Sequence, residues 1–358
     1  MTLHLAVDKK NVILIECTTQ EIGKRIKRYY PTIRNLDGIV YDNYYHVNVI
    51  VTSKKDWKYR ERNTFIKCVN YKNDIVFYQY QWNNTHVILT EKNSDCYCYQ
   101  VPLNFTQTNA EFTVMIASID DAIYLVRFLR ALIAEIHYLA HRKCYHSALV
   151  NYRGKGVLII GDSGAGKTSL TLLLASAGGK ILSNDKLFIG TDDTGKPEAW
   201  PHVTSIRMGA GLLNTLDNLL LSQLVSERSG SARKYLADIA RQGDFWGNKN
   251  KFELTSVETS KLFNCQIINH SLVDLVIFSY KAENGQLGSI SSSCFSAHRE
   301  LLNSNYFQIR DTDYPESIFG TDPIQTSPPD HLTQLPCHLL YFNPFNGLSY
   351  VTEYLDRL

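Results

Sequence analysis

Val157-Leu-Ile-Ile160-Gly161-Asp-Ser-Gly-Ala-Gly166-Lys167-Thr168-Ser169-Leu170 passes from an unbroken apolar run, through a glycine-rich turn, into a second apolar stretch that continues to Ala175. The first run has the length and composition of a buried strand, and the second reads as a helix. Between them the order Gly-x-x-x-x-Gly-Lys-Thr is a complete phosphate-binding loop in the context such a loop requires. Glycines let backbone N–H groups turn inward around phosphate oxygens, and the helix N-terminus adds partial positive charge. Lys167 is placed to neutralise β and γ oxygens, and Thr168 to offer its hydroxyl to Mg²⁺. Gly161, Asp162, Ser163, Gly164, Ala165, Gly166, Lys167, Thr168 and Ser169 are therefore the candidate ATP contacts.

Reading outward, His146 opens a strand that runs to Val150, turns near Gly154 and returns as the strand entering the loop. A hairpin of that length brings His146 close to the phosphates. Downstream, Gly178-Gly179 stops the helix, and a strand from Lys180 ends in Ser183-Asn184-Asp185. A right-handed crossover would set that strand beside the loop strand. Asp185 would then face the metal and the γ-phosphate, where a carboxylate can order Mg²⁺ or accept a proton from an attacking hydroxyl.

His146, the loop 161–168, Gly178-Gly179 and Leu182-Ser-Asn-Asp185 together resemble the HPr serine kinase/phosphorylase family over about residues 144 to 214. His146 stands 21 residues before Lys167, and Asp185 stands 18 after it, a spacing that also resembles the family. The resemblance implies a phosphate-loop kinase core similar to phosphoenolpyruvate carboxykinase, which uses ATP and Mg²⁺ to phosphorylate a serine hydroxyl. Carried over, it makes His146 an active-site residue, Lys167 a γ-phosphate ligand, Thr168 a metal ligand and Asp185 the proton acceptor. Family members tend to form rings, which implies a homo-oligomer. The chain departs from the pattern in two places. Asn184-Asp185 stands where the family has two aspartates, leaving an amide oxygen at the metal, and Ser205 stands where a Glu-Ile-Arg segment supplies an acidic ligand. Arg207 still suits a cation near the phosphates, and Arg241, Lys249 and Lys251 are further cations that surface exposure explains as well.

The chain has 358 residues, which favours two domains. The expected division is a β-rich α+β domain over 1–118, a connecting helix over 119–143 and an ATP-binding catalytic domain over 144–358. The fold class is α/β, with an HPr-kinase/carboxykinase-like core. Strands are expected at Val12–Ile15, Ile39–Val51, Ile75–Tyr80 and His86–Leu89, and a short helix with a solvated cationic face around Lys24 to Arg28. Lys54 to Arg62, with Trp57 and Tyr59, reads as an exposed loop or a substrate contact. His137 and His141 lack a third ligand and read as a solvated helix end. A strand pair is expected across Asn343 to Gly347, and a long loop over 311–336.

A net charge of +2 with interspersed signs gives no broad basic field, so nucleic acid is not expected as a partner. No apolar run approaches membrane-spanning length, Asp8, Lys9 and Lys10 break any leader, and the eight cysteines are scattered. A cytoplasmic protein is expected, without a membrane partner. The leading reading is an ATP-dependent kinase acting on a hydroxyl-bearing peptide, protein or metabolite. The alternative is an ATP-binding switch or sensor with slow or no hydrolysis. A guanine-nucleotide switch is disfavoured because Asn248-Lys-Asn-Lys251 lacks the acid that reads guanine.

Overall fold

A computed structural model describes residues 1–31, 33, 39–52, 66–69, 76–82, 85–92, 95–102, 109–202, 205–209, 211–212, 218–227, 234, 236–238, 241, 251–282, 287–306, 330–343 and 349–358. The chain divides into two units. One is built on Met1–Cys144 with Phe188–Gly190, and the other on Tyr145–Leu187, Thr191–Asn305 and Asp330–Leu358. Both mix helix and sheet, so the fold class is α/β.

In the first unit, strands β1 (Thr2–Ala6), β2 (Asn11–Cys17), β3 (Asn43–Val51), β4 (Ile66–Val69), β5 (Val76–Trp82), β6 (Thr85–Lys92), β7 (Asp95–Pro102) and β8 (Ala110–Ile116) form one sheet. Their order is β1-β2-β3-β8-β7-β6-β5-β4. Helix α1 (Gln20–Tyr29) connects the parallel neighbours β2 and β3, and α2 (Ala122–Leu139) follows β8. Alternate residues Ile13, Ile15, Val47, Val49, Phe112 and Val114 form a core with Ile22 and Ile26 of α1 and Leu125, Phe128 and Leu132 of α2. The period of two along each strand is what points this apolar set to one face. Tyr99 stacks on Phe128 at 4.9 Å and donates its hydroxyl to the Tyr124 carbonyl at 2.9 Å, so α2 is part of this unit's core.

The helix end is not solvated at His137. That ring is fully buried, stacked on Phe188 at 4.5 Å, and its Nδ1 lies 2.8 Å from Arg142 Nη1. Arg142 in turn reaches Asp8 at 2.5 Å. Aromatic stacking and a guanidinium partner make this imidazole a core residue, which spacing alone did not reveal. Lys54 to Arg62 lies outside the described residues.

Short β9 (Lys143–Tyr145) leads into the second unit. There β10 (Ser147–Tyr152), β11 (Lys155–Ile160), the loop, α3 (Lys167–Ser176) and β12 (Lys180–Ser183) follow in sequence. Next in the chain come β13 (Leu187–Thr191), whose Phe188–Gly190 belong to the first unit, then β14 (Pro197–Pro201), β15 (Ile206–Gly209), α4 (Asn218–Glu227), β16 (Lys251–Leu254) and α5 (Ser256–Leu262). The remainder is β17 (Ser271–Leu272), β18 (Leu275–Lys281), β19 (Ser289–Ser293), α6 (Arg299–Ser304), β20 (Cys337–Phe342) and α7 (Ser349–Leu355). The central sheet runs β12-β10-β11-β18-β20-β19, with β11, β18 and β20 parallel.

Two sequence expectations need correction. The strand ending at Ser183 does not lie beside the loop strand; it pairs antiparallel with β10, which stands between them. A six-residue hairpin arm takes the place next to β11 because its register, Ser147 opposite Ile160, is set by the tight turn at Arg153-Gly154. The strand expected beyond Gly347 is not what the described residues form there. Ser349–Leu355 is a helix, because Val351 and Leu355, spaced four apart, both bury against the core formed with Val157, Ile159, Leu170 and Leu174. The partners of β20 are β18 and β19 instead. Of the expected loop 311–336, residues 311–329 lie outside the described residues.

Candidate active site

Every residue from Gly156 to Ile160 is buried, as a strand covered on both faces must be, and β11 releases the chain at Gly161. Gly164 and Gly166 both take left-handed φ, 86° and 89°, which glycine adopts without a Cβ penalty. Gly166 is the N-cap of α3. A Cβ there would collide with the ring of Phe342, which β20 brings to the loop, whereas a Cβ on Gly164 would meet nothing. Gly164→Ala is therefore expected to cost only the backbone strain, about 1–2 kcal/mol. Gly166→Ala adds about 1–3 kcal/mol for displacing Phe342. Thermal unfolding of the two variants should rank them in that order, and equal midpoints would refute the role of Phe342.

The neighbouring strand holds the loop from the other side. Ser279, at the end of β18, donates its hydroxyl to the Ala165 carbonyl at 2.5 Å, and its own carbonyl lies 2.5 Å from where a Gly161 Cβ would stand. Lys167 is only 7% exposed. Its ammonium donates to the Gly161 carbonyl and, at 3.3 Å, to that of Asp162. Burial lowers its pKa below the ordinary lysine value, against the pull of Asp185 and Asp162.

Because β10 starts at the edge where β12 ends, His146 and Asp185 meet: Nε2 lies 3.1 Å from Oδ1. The side chains are 36% and 51% exposed, and the His146 backbone is tied to the Asn305 carbonyl at 2.8 Å. Partial desolvation would raise the Asp185 pKa. The hydrogen bond and charge of His146, with Lys186 and His202, outweigh it and hold the carboxyl below its usual range. Lys186 and His202 were not singled out by sequence; they flank β13 and β14 and meet where His202 N donates to the Lys186 carbonyl at 3.1 Å.

Asn184 is 4% exposed, and its Nδ2 lies 3.4 Å from the Thr168 hydroxyl oxygen. Its Oδ1 is buried without a hydrogen-bond partner. Such an orphaned oxygen beside an alcohol fits an oxygen-preferring cation such as Mg²⁺, whose remaining ligands would be phosphate oxygens and water. Among the described residues no group of three or more His, Cys, Asp and Glu is placed to hold a metal.

Arg207 is not among the groups brought together here. It is exposed on β15, in register with Glu253 of β16. Ser205, just before that strand, donates to Glu253 Oε1 at 2.5 Å, so a carboxylate reaches position 205 from the neighbouring strand. Arg241 is paired with Asp238 at 2.5 Å, Lys251 begins β16, and Lys249 lies outside the described residues.

Among the described residues no helix is long and apolar enough to cross a membrane. No protein-family model matches the chain. Curated relatives do. The chain is 27% identical over 133 residues to the HPr kinase/phosphorylase of Levilactobacillus brevis, covering 35% of this chain and 40% of that protein. It is 33% identical over 84 residues to that of Lacticaseibacillus casei, and 36% over 84 residues to that of Lactobacillus johnsonii. Each of the latter matches covers 22% of this chain and 26% of the relative. The chain thus spans between a quarter and two fifths of the length of these relatives. Among solved structures, the Hpr(Ser) kinase/phosphatase of Coxiella burnetii is 14% identical, with a TM-score of 0.29, covering 60% of this chain and 88% of that one. The curated relatives, all named HPr kinase/phosphorylase, support an HPr-kinase-like family for this chain.

Proposed function

We propose that the chain is an ATP- and Mg²⁺-dependent kinase that transfers the γ-phosphate to a serine-type hydroxyl of a peptide, protein or small-molecule acceptor. It has an HPr-kinase/carboxykinase-like core over 144–358, and residues 1–118 select the acceptor. The setting is cytoplasmic. The observation that carries this reading is the His146–Asp185 pair, 3.1 Å apart, at the sheet edge where Lys167 and the Asn184–Thr168 pair also stand.

Loop amides from Gly161 to Ser169 hold the phosphate chain, and Lys167 leaves the Gly161 carbonyl for the β and γ oxygens. Thr168, Asn184 and Asp185 would hold Mg²⁺, which when bound neutralises charge on those oxygens. Asp185 orients the acceptor hydroxyl in line with the γ-phosphorus and takes up its proton as the new P–O bond forms and the bond to ADP breaks. His146 fixes the Asp185 carboxylate. Arg207, exposed on β15 and apart from these groups, is given no part in the transfer step.

Incubation of the protein with γ-³²P-labelled ATP, Mg²⁺ and an extract of its own host is expected to give a labelled acceptor that is stable to mild acid, as a phosphoserine ester is. Release of free phosphate alone would replace the kinase reading with that of an ATP-hydrolysing switch.

A further inference from the structure

The parallel strands β11, β18 and β20 all end at the edge of the sheet where the loop leaves β11. Ligands of open α/β sheets lie outside the carboxyl ends of such strands. On one side of β11 that edge is polar, with His146 and Asp185 3.1 Å apart and Asn184 beside Thr168. On the other side it is aromatic. Tyr280 and Tyr341 are the penultimate residues of β18 and β20 and stand opposite each other in the parallel register. Their ring centroids are 6.2 Å apart, with the planes tilted by 40°.

Each of these tyrosines is one residue from a contact with the loop. Ser279, before Tyr280, donates to the Ala165 carbonyl at 2.5 Å, and Phe342, after Tyr341, packs where a Cβ on Gly166 would stand. The period of two along a strand turns the tyrosines to the opposite face from Ser279 and Phe342. There Phe278 is fully buried, whereas Tyr280 and Tyr341, nearer the edge, are only half-buried. The ring of Tyr280 is fixed in advance. Its hydroxyl lies 3.0 Å from Nδ1 of His298, a 6% exposed residue that stacks on Phe278 at 4.5 Å and has Nε2 2.7 Å from the Ser293 hydroxyl. At Tyr341 the backbone is held between β18 and β19, and its carbonyl accepts from the Tyr350 hydroxyl of α7 at 3.3 Å. Rings held in place before a flat partner arrives lose little freedom when it stacks on them.

We propose that Tyr280 and Tyr341 form the stacking platform for the adenine of the nucleotide whose phosphates the loop holds. The inference deepens the ATP-binding reading and rests on it. The loop then separates two subsites along one sheet edge, the base over β18 and β20 and the acceptor hydroxyl beside His146 and Asp185.

Calorimetric titration of the full chain with MgATP and with the Mg²⁺ complex of methyl triphosphate, which carries the same phosphate chain and no base, tests it. The parent protein is expected to bind ATP about tenfold or more tightly than methyl triphosphate, as stacking of a base on aromatic side chains gives. Tyr280→Leu and Tyr341→Leu should each weaken ATP by about tenfold and leave methyl triphosphate within about twofold. Tyr280→Phe, which keeps the ring, should hold ATP within about threefold of the parent. Unchanged ATP affinity in Tyr341→Leu overturns the proposal, and so does an equal loss for both ligands, which would mean a disturbed loop. Should Tyr280→Leu not fold, Tyr341→Leu decides alone. A parent protein that binds methyl triphosphate as tightly as ATP overturns the platform and leaves the phosphate loop standing, whereas one that binds neither overturns both.

Discussion

Asp185→Ala is expected to lower phosphoryl transfer by about 100- to 10,000-fold, the range found when a positioned acid or base is removed. ATP binding should stay within about threefold of the parent, because the loop amides and Lys167 carry most of it. Rapid-quench transfer assays set against equilibrium nucleotide binding separate the two effects. Transfer at the parental rate would remove Asp185 from the mechanism, and an equal loss in both measurements would make it a nucleotide ligand. Its electrostatics define its part more narrowly. His146, Lys186 and His202 hold the carboxyl below its usual range, so it is ionised throughout the neutral region and is a weak base. On the proposed kinase reading its contribution is to aim the acceptor hydroxyl and to accept the proton late, which a loose transition state allows. An acidic limb of the rate profile belonging to Asp185 should therefore lie below the normal value of 3.8. The same depression makes the native pair stabilising above the unfolded-state pKa and lost as pH falls through the native one. Half exposure keeps that contribution small.

Lys167→Met should separate stability from activity in the opposite sense. Loss of a cation fixed on the transferring group is expected to cost about 100- to 1,000-fold in turnover. ATP affinity should fall as well, by about tenfold or more, since a charge-assisted contact is worth roughly 1.5–3 kcal/mol. Stability is expected to hold or rise. Lys167 is 7% exposed, and desolvation of its ammonium outweighs the attraction of Asp185 and Asp162, so the folded protein holds this proton less tightly than the unfolded chain. A base with a depressed native pKa opposes folding while it is charged, and the opposition fades as pH rises through the native pKa toward 10.5. Methionine has the length and none of the charge. Calorimetric unfolding should give a midpoint equal to or a few degrees above the parent at neutral pH. A marked loss of stability would show that the bonds to the Gly161 and Asp162 carbonyls outweigh desolvation.

The parts of this site legible in the sequence were those joined by short connections. From His146 to Asp185 the chain makes a hairpin, a loop, a helix and a strand, and each is fixed by local signals: Gly154, the glycines of the loop, Gly178-Gly179. Their convergence could be read even though the strand order was not, since β12 reaches the correct edge across β10 as well as it would beside β11. What could not be read is what arrives from far along the chain. Ser279 and Phe342 reach the loop because β18 and β20 are the next parallel strands, and periodicity marks a buried strand without naming its neighbours. Glu253 meets Ser205 for the same reason, through a ribbon closed across about fifty residues. In the first unit, β6 could be read from its alternation, whereas β7, which opens Asp95-Cys96-Tyr97-Cys98-Tyr99, reads as strand only once β6 and β8 flank it. His137 was misjudged because a histidine near a helix end is usually wet, and only the packing of Phe188 reverses that.

The lysine that rests on two carbonyls of its own loop makes nucleotide arrival a trade. An incoming anion must offer more than those carbonyls do before the side chain swings across. A polyphosphate, with several charged oxygens within one reach, clears that threshold, and a lone sulfate or orthophosphate gains less. On the proposed ATP-binding reading, the resting protein is therefore a latch that opens to chains of phosphate and stays shut to single anions.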